Sequence, residues 1–359
     1  MLFTYSSYLC ILIFSTSIAF CYEHSKSNFK VFLWSVLFLF LWIPAAIRFG
    51  VGADYFRYLS MVESVRLGYV STEIGFYFIN YIVVWYHLNP QWSIAISSFI
   101  AIFLSLKAIP RKYFSISVFV LVCTFYLPSF SLVRQAIAIA IAFIAYAVKN
   151  YIEGNKKNYI VFVLLGSLFH LSALLLLPIY FVARFRVRSS ILFLGIFIIS
   201  LLLFLGSGLN TLLNSDLFLQ SKYGYYAASD FIQDAKIGSG IGVLIKMLLP
   251  LIFITNAKKI LKTNPNLNIL LWMSVGCVLA NVCSMKIHVF NRLADIFLFV
   301  NFMVSSYIIT SLEKNVTKQL CSMAILIVFI VFYCRTIQAN YNDDLGGIGI
   351  SPYKTIFYK

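Results

Sequence analysis

The chain has 359 residues, of which 61% are hydrophobic and 11% are charged, and its formal net charge is +16. A soluble domain carries about 25% charged residues, so this composition excludes an ordinary globular protein. An excess of Lys and Arg is typical of the cytoplasmic loops between membrane helices, and we therefore expect no nucleic-acid partner.

Apolar runs recur from one end of the chain to the other. Most approach the length needed to cross about 30 Å of hydrocarbon, and their continuous character predicts helices rather than the alternating strands of a barrel. The first run has no positively charged start and no convincing cleavage site, so it is interpreted as a retained helix. The predicted segments are 3–21, 31–47, 75–88, 91–109, 113–129, 131–148, 159–183, 190–206, 239–255, 267–285, 293–311 and 319–334.

Four basic clusters mark the predicted cytoplasmic connections, because Lys and Arg are retained on that side of the membrane. The Lys-poor segment 207–238 then becomes an extracytoplasmic loop, and 336–359 becomes an extracytoplasmic tail. The whole chain, 1–359, is predicted to form one integral membrane domain. The four clusters are Lys149 with Lys156 and Lys157, Arg184 with Arg186 and Arg188, Lys258 with Lys259 and Lys262, and Lys314 with Lys318.

Two segments do not fit a simple count of crossings. If 159–183 crossed once, every later connection would lie on the opposite side of the membrane. A break near His170 keeps the basic clusters on the cytoplasmic side. Segment 75–88 is short for a span. Irregular backbone at membrane depth is tolerated only where it lines protein or a watery cavity. The sequence therefore predicts an all-α, polytopic transmembrane bundle with about 10–12 crossings, one or two broken or re-entrant helices, and a periplasm-facing cavity.

The first polar constellation is Arg48-Phe-Gly-Val-Gly-Ala-Asp54-Tyr55-Phe-Arg-Tyr58. Its two glycines permit a tight turn, and Asp54 could cap a following helix. Tyr55 and Tyr58 would share one face of that helix, a plausible surface for sugars. The alternative is an ordinary capped loop whose tyrosines belong to the interfacial aromatic belt.

Two further candidates lie at predicted helix ends. Arg134-Gln135 opens an alanine-rich helix, and a guanidinium group can hold phosphate through two parallel hydrogen bonds. His170 lies inside an apolar run where the topology requires a turn, and ionisable groups within the membrane are often functional. The alternatives are an Arg that only reaches toward the interface and a satisfied core histidine.

The last two candidates are Lys286-Ile-His288-Val-Phe-Asn-Arg292 and the tail that contains Tyr353. An Arg at the interface and a disordered tail are the alternative interpretations. Motifs for phosphate-loop, zinc-protease or hydrolase chemistry are absent, and the seven cysteines form no CxxC pair. We therefore expect no cofactor and no metal. The candidate residues on the predicted outer side are arginines, a carboxylate, a histidine and tyrosines. This set fits the binding of a lipid pyrophosphate and a sugar better than it fits an ion pathway.

Taken together, these residues resemble the EpsG-like branch of the Wzy-type O-antigen and exopolysaccharide polymerases. The resemblance spans most of the chain in the expected order, and the combination of motifs carries it. The sequence departs from the family pattern at Ala53, where Thr is usual, and at Glu73-Ile-Gly, where Glu-Pro is common. The matching residues are Arg48, Gly52, Asp54, Tyr55, Tyr58, Glu73, Tyr77, Arg134, Gln135, Phe169, His170, Arg292, Pro352, Tyr353 and Lys354.

The resemblance implies a metal-independent glycosyltransferase of the bacterial inner membrane. Such an enzyme moves a growing glycan from undecaprenyl pyrophosphate to a new lipid-linked repeat unit at the periplasmic face. The implied partners are the undecaprenyl-pyrophosphate-linked oligosaccharides, membrane lipid and a chain-length regulator protein. The sugars, the linkage and the choice between O-antigen and capsule do not follow from these motifs.

The chemistry assigns hypothetical roles to the candidates. A leaving pyrophosphate requires cations, for which Arg134 and Arg292 are the first choices. The acceptor hydroxyl requires a base, for which Asp54 is the first choice and His170 the second. The expected substrate-binding residues are Arg48, Tyr55, Tyr58, Gln135 and Tyr353.

Three other functions compete with the polymerase. An O-antigen ligase uses the same donor but is expected to have a longer outer loop with its own Arg and His, whereas 207–238 contains neither. A lipid-linked oligosaccharide flippase, which is not an enzyme, would need twelve or more regular spans. A membrane acyltransferase would need a histidine beside a thioester-binding tunnel.

Overall fold

The computed structural model describes residues 2–70, 73–131, 135–205, 240–286, 290–340 and 348–357. This part of the chain is almost entirely helical and contains no β-strand beyond one isolated bridge between Arg48 and Thr355. The predicted all-α fold is therefore confirmed. Arg134, His288 and the predicted loop 207–238 lie outside the described residues.

The described residues form sixteen α-helices, which we number in chain order. They are α1 (Leu2–His24), α2 (Ser27–Ile47), α3 (Tyr55–Arg66), α4 (Ile74–Trp85), α5 (Gln91–Ala108), α6 (Phe114–Leu121), α7 (Gln135–Ile152), α8 (Lys156–Ser167), α9 (Ile179–Val182), α10 (Ser189–Leu205), α11 (Gly240–Thr255), α12 (Ala257–Thr263), α13 (Asn268–Lys286), α14 (Asn291–Ile296), α15 (Leu298–Thr310) and α16 (Asn315–Ala339).

Five of these helices are long and apolar enough to cross a membrane, and α11 with α12, bent by 67°, forms a sixth candidate. Six shorter apolar helical segments accompany them within the described ranges. The chain is therefore a polytopic membrane protein. The expected 10–12 crossings agree with long and short segments together but stay a prediction.

The predicted break at His170 is present. Helix α8 ends at Ser167, His170 adopts an extended backbone, and a short 3-10 helix follows over Leu171–Leu176. Segment 75–88 likewise contains a helix of only 12 residues, α4. Of the two segments that resist a count of crossings, one is therefore broken at His170 and the other contains a short helix.

The centre of the bundle is formed by α5, α6, α7 and α15. Helix α7 carries the alanine-rich face and packs against α5 and α8. A Cβ atom at Gly166 of α8 would lie 3.3 Å from the carbonyl oxygen of Ala140. Small residues on facing helices thus let the two backbones approach closely, as membrane helices require.

Helix α6 leads from this centre to the candidate site. It continues into a single turn of π-helix, Val122–Tyr126, and a short 3-10 helix, Pro128–Phe130. The Tyr126 hydroxyl donates to the carbonyl oxygen of Leu41 at 2.8 Å. This bond fixes the irregular end of α6 against α2, just before the position of Arg134.

Candidate functional site

The loop between α2 and α3 packs directly against the end of the π-helical segment. Gly52 has φ +104°, and a Cβ atom there would stand 2.0 Å from the carbonyl oxygen of Phe130. The neighbouring Ala53 donates its backbone N–H to the Ser131 hydroxyl at 3.3 Å. The loop that precedes Asp54 is therefore joined to the turn that precedes Arg134.

The tail lies along the same loop from the other side. The Phe49 N–H donates to the Lys354 carbonyl at 2.9 Å, and the Gly52 N–H donates to the Gly349 carbonyl at 2.6 Å. Gly349 has φ +63°, and a Cβ atom on it would meet the Ala53 nitrogen at 2.8 Å. Residues 348–356, which we call the tail strap, thus cover the loop through backbone contacts, and the close approach at Gly349 requires glycine.

Tyr353 anchors the tail strap to the first two helices. Its hydroxyl donates to the Pro44 carbonyl at 3.0 Å, and its ring meets Tyr8 edge to face at 5.5 Å between centroids. Burial raises the pKa of Tyr353 to about 12, so the hydroxyl stays protonated and able to donate at neutral pH. These contacts give Tyr353 a structural role, whereas the sequence suggested that it binds substrate.

Arg48 is enclosed within the protein, with only 1% of the residue exposed. Its guanidinium donates to the backbone carbonyls of Ala45 and Val51 and to the Ser98 hydroxyl, and it stacks over the Phe130 ring at 4.6 Å. Burial lowers its pKa to about 10, which leaves it cationic at neutral pH. These contacts favour a role in holding the loop rather than direct contact with substrate.

Helix α3 begins immediately after Asp54. This residue stands at the N-cap position, but its side chain makes no capping hydrogen bond, contrary to the sequence expectation. It is partly exposed. The Asp54 side chain therefore does not cap α3.

Tyr55 and Tyr58 point into the protein. Both side chains are buried in a cluster with Phe76 of α4, and Phe169 packs against the same cluster. The Tyr55 hydroxyl donates to Gln91 Oε1 at 2.7 Å. The expected sugar-facing surface is thus a packed wall, and it brings the turn at His170 up to the first constellation.

Gln91 is a residue that sequence analysis did not select. Its side-chain amide donates to the carbonyls of Ala46 at 2.6 Å and Arg48 at 3.0 Å while its oxygen accepts from Tyr55. One side chain at the start of α5 thereby fixes the end of α2 and the start of α3. The single signal in the sequence was its place at a helix start after Asn89-Pro90.

Glu73 meets His170 across the gap between α4 and the broken helix. Glu73 Oε1 lies 3.7 Å from His170 Nδ1, and the two side chains are 12% and 11% exposed. The approach is close because the Gly75 N–H donates to the Leu168 carbonyl at 2.9 Å. Glu73 appeared in the family pattern but was not selected as a site residue.

Arg292 lies on the short helix α14, which packs against α7 and against the 3-10 helix that follows His170. Its side chain is partly exposed. Helix α14 is therefore adjacent to the turn at His170, and Gln135 is the first residue of α7. Arg134 itself is outside the described residues.

A second ionic pair lies one helical turn beyond Arg292. Lys246 Nζ of α11 is 3.8 Å from Asp295 Oδ1, with side-chain exposures of 27% and 23%. The Lys246 carbonyl also accepts from the Asn301 side-chain amide at 3.0 Å. Sequence reasoning missed this pair because no helical spacing links residues on two separate helices.

The polar residues thus converge from five parts of the chain. The loop 48–54, the turn 128–131, the tail strap, the turn at His170 and helix α14 are joined through the contacts above. In the described part of the chain, no three potential metal ligands lie together. The arrangement offers a carboxylate, an imidazole with a partner carboxylate, and basic groups on neighbouring elements.

Comparison with known proteins identifies one family. A family model described as the EpsG family matches residues 31–355, which run from α2 through the tail strap. No curated protein and no solved structure matches the chain.

Proposed function

The chain belongs to the EpsG family, whose members are membrane proteins of the polysaccharide-polymerase type, and from this membership we propose its specific reaction. It is an O-antigen or related surface polysaccharide polymerase. It transfers the growing glycan from undecaprenyl pyrophosphate to the terminal sugar of a new lipid-linked repeat unit. The reaction takes place at the periplasmic face of the bacterial inner membrane.

The observation that carries the proposal is the convergence of the separate polar constellations. A polymerase must bind two lipid-linked glycans at one place, neutralise a pyrophosphate and remove a proton from a hydroxyl. The loop that ends at Asp54, the turn at His170 and the helix of Arg292 supply these residue types on packed, neighbouring elements. Each is held by an interrupted helix or a tight loop, where binding sites in membrane proteins often lie.

Arg134 and Arg292 are the proposed phosphate-binding residues. Guanidinium groups hold phosphate oxygens bidentately, and they neutralise the charge that develops as the anomeric bond breaks. Because these cations would fulfil the electrostatic role, the proposed reaction uses no metal. Gln135 adjoins Arg134 at the start of α7 and would bind the same lipid-linked donor.

Asp54 and His170 are the proposed bases. Asp54 immediately precedes α3, and His170 interrupts a helix where Glu73 approaches it. Either group could accept the proton of the acceptor hydroxyl. Four side chains that are buried in the described structure would support the site from within the protein: Arg48, Tyr55, Tyr58 and Tyr353. A chain-length regulator protein is the proposed partner.

Deletion of the gene in its source strain distinguishes the proposal from its rivals. Loss of a polymerase leaves surface lipid capped with one repeat unit. Loss of a ligase leaves no repeat attached, and loss of a flippase accumulates lipid-linked repeats on the cytoplasmic leaflet. The second or third pattern would reject the proposed function.

Complementation of the deletion strain tests the phosphate-binding role. Arg134→Ala is expected to abolish the ladder of long chains at normal membrane levels of the protein. The matched control is Arg111→Ala, which removes an exposed arginine from the connection between α5 and α6. A full ladder from Arg134→Ala would remove the pyrophosphate assignment.

Reconstitution tests the reaction itself. The purified chain in lipid vesicles is supplied with one defined undecaprenyl-pyrophosphate-linked repeat and no nucleotide sugar. Products of two or more repeats, with release of undecaprenyl pyrophosphate, are expected. Absence of longer products at any protein level would contradict a polymerase.

A further inference from the structure

The contact between Glu73 and His170 has features that packing alone does not require. Both side chains are almost enclosed, although the apolar cluster beside them could be filled more favourably by uncharged residues. His170 Nδ1 is buried and makes no hydrogen bond with any described residue. Its distance to the carboxylate, 3.7 Å, is slightly longer than a hydrogen bond.

The backbone holds the two residues at this separation. Gly75 follows Glu73 by two residues, and a Cβ atom on it would lie 3.0 Å from the Leu168 carbonyl oxygen. On the other side, Phe169 packs against the cluster that contains Tyr58. The first turn of α4 and the turn at His170 are therefore locked together, and a small movement of one side chain would complete the hydrogen bond. Catalytic hydrogen bonds often tighten in this way once substrate is bound.

An imidazole with a carboxylate beside one ring nitrogen is suited to accept a proton at the other. The carboxylate favours the tautomer with hydrogen on Nδ1, which leaves the lone pair on Nε2. It also stabilises the positive ring that forms when Nε2 takes a proton. An imidazole is also a stronger base than a carboxylate by their ordinary pKa values.

We propose that Glu73 is a positioning residue for catalysis, which orients His170 as the base for the acceptor sugar. This inference rests on the proposed polymerase function. The acceptor oxygen bonds to the anomeric carbon of the donor as the bond from that carbon to the pyrophosphate oxygen breaks. The electron pair leaves with undecaprenyl pyrophosphate, and the hydroxyl proton passes to His170 Nε2 and then to solvent.

The experiment measures kcat and KM in vesicles with the defined lipid-linked repeat. Glu73→Gln keeps the size and one acceptor oxygen but removes the charge. It is expected to lower kcat about tenfold or more while KM changes less than twofold, and Glu73→Asp is expected to recover part of the loss. The matched control is Glu63→Gln, because Glu63 lies exposed on α3 and pairs with Arg66 at 2.9 Å; its activity should be unchanged.

The two residues are expected to act as one unit. His170→Gln should lower kcat at least as much as Glu73→Gln, and the double variant should lose little more than His170→Gln alone. The proposal would be overturned if the kcat loss of the double variant equalled the product of the two single losses. A Glu73→Gln enzyme with kcat within twofold of the wild type would also overturn it. If Glu73→Gln fails to fold, Glu73→Asp combined with His170→Gln provides the same comparison. A wild-type protein that makes no longer products contradicts the polymerase itself and, with it, this inference.

Discussion

Gly52 and Phe130 lie in van der Waals contact through their backbones, at a separation that leaves no room for a side chain on Gly52. A Cβ atom there would stand 2.0 Å from the Phe130 carbonyl oxygen. The obstacle is a rigid backbone atom rather than a movable side chain. This contact joins the loop that precedes Asp54 to the turn at residues 128–131, so the placement of these two segments against each other depends on it.

Substitution of Gly52 by Ala should separate the two segments. The new methyl group must displace the loop or the turn, and the φ value of +104° is also unfavourable for alanine. Polymer formation is expected to fall at least tenfold, with a lower melting temperature in detergent.

Gly154→Ala is the matched control for this change. Gly154 has φ +99°, but no atom lies within 4 Å of a Cβ built on it. It therefore carries the same backbone strain without the close approach. Equal effects of the two substitutions would show that strain alone, and not contact with Phe130, matters at position 52.

Arg48→Lys distinguishes a structural from a substrate-binding role for this residue. Lysine keeps the charge but cannot reach two carbonyls and a hydroxyl while stacking over Phe130. We expect a lower melting temperature and an unchanged KM for the lipid-linked donor in the folded fraction. Arg57→Lys, on the exposed face of α3, is the control. A raised KM for the lipid-linked donor with an unchanged melting temperature would instead show that Arg48 binds substrate.

Tyr353→Phe tests the anchoring of the tail strap. The change removes the part-buried hydrogen bond from the Tyr353 hydroxyl to the Pro44 carbonyl. The loss of unfolding free energy should be about 1 kcal/mol, measured by thermal unfolding in detergent. Tyr69→Phe, at an exposed position, should have no effect. Unchanged stability combined with reduced substrate affinity would instead support a binding role for Tyr353.

Lys246 and Asp295 should be energetically coupled. Each substitution removes one partner of an ion pair that lies in a mostly enclosed position between helices, where loss of a compensating charge is unfavourable. Lys246→Met and Asp295→Asn are therefore each expected to destabilise the protein, and the double variant to be more stable than the sum of the single effects predicts.

A second double-mutant cycle, on an exposed ion pair, provides the comparison for this coupling energy. Lys259 Nζ lies 3.2 Å from Glu313 Oε1, but this pair is exposed, so its coupling should be close to zero. Thermal unfolding of both sets in one detergent measures the difference. A coupling for Lys246 and Asp295 no larger than that of the exposed pair would refute the expectation.

Local sequence patterns predicted the elements of this protein better than their contacts. Continuous apolar runs predicted the helical bundle, and the need for a turn predicted the break at His170. The first prediction depends on the chain within about one helix length, whereas the second depends on the order of the basic clusters along the chain. The glycines at positions 50 and 52 likewise predicted a tight turn between α2 and α3.

Contacts between distant segments were not accessible in the same way. The tail strap pairs with the loop through backbone groups, which every residue possesses. No side-chain pattern in the sequence therefore predicts this pairing. The spacing of Tyr55 and Tyr58 predicted a shared helix face but not that this face is buried. The contact of Glu73 with His170 depends on the packing of α4 against a broken helix.

The pairing between residues 47–53 and the tail strap has a consequence for biogenesis. The loop leaves the ribosome about 300 residues before the segment that accepts its backbone hydrogen bonds. At a synthesis rate of about 5–20 residues per second, that interval lasts roughly 15–60 s. Through this interval the N–H groups of Phe49 and Gly52 lack the carbonyls of Lys354 and Gly349, which accept their hydrogen bonds in the folded protein. Assembly of the site is therefore a late event, set by the arrival of the tail.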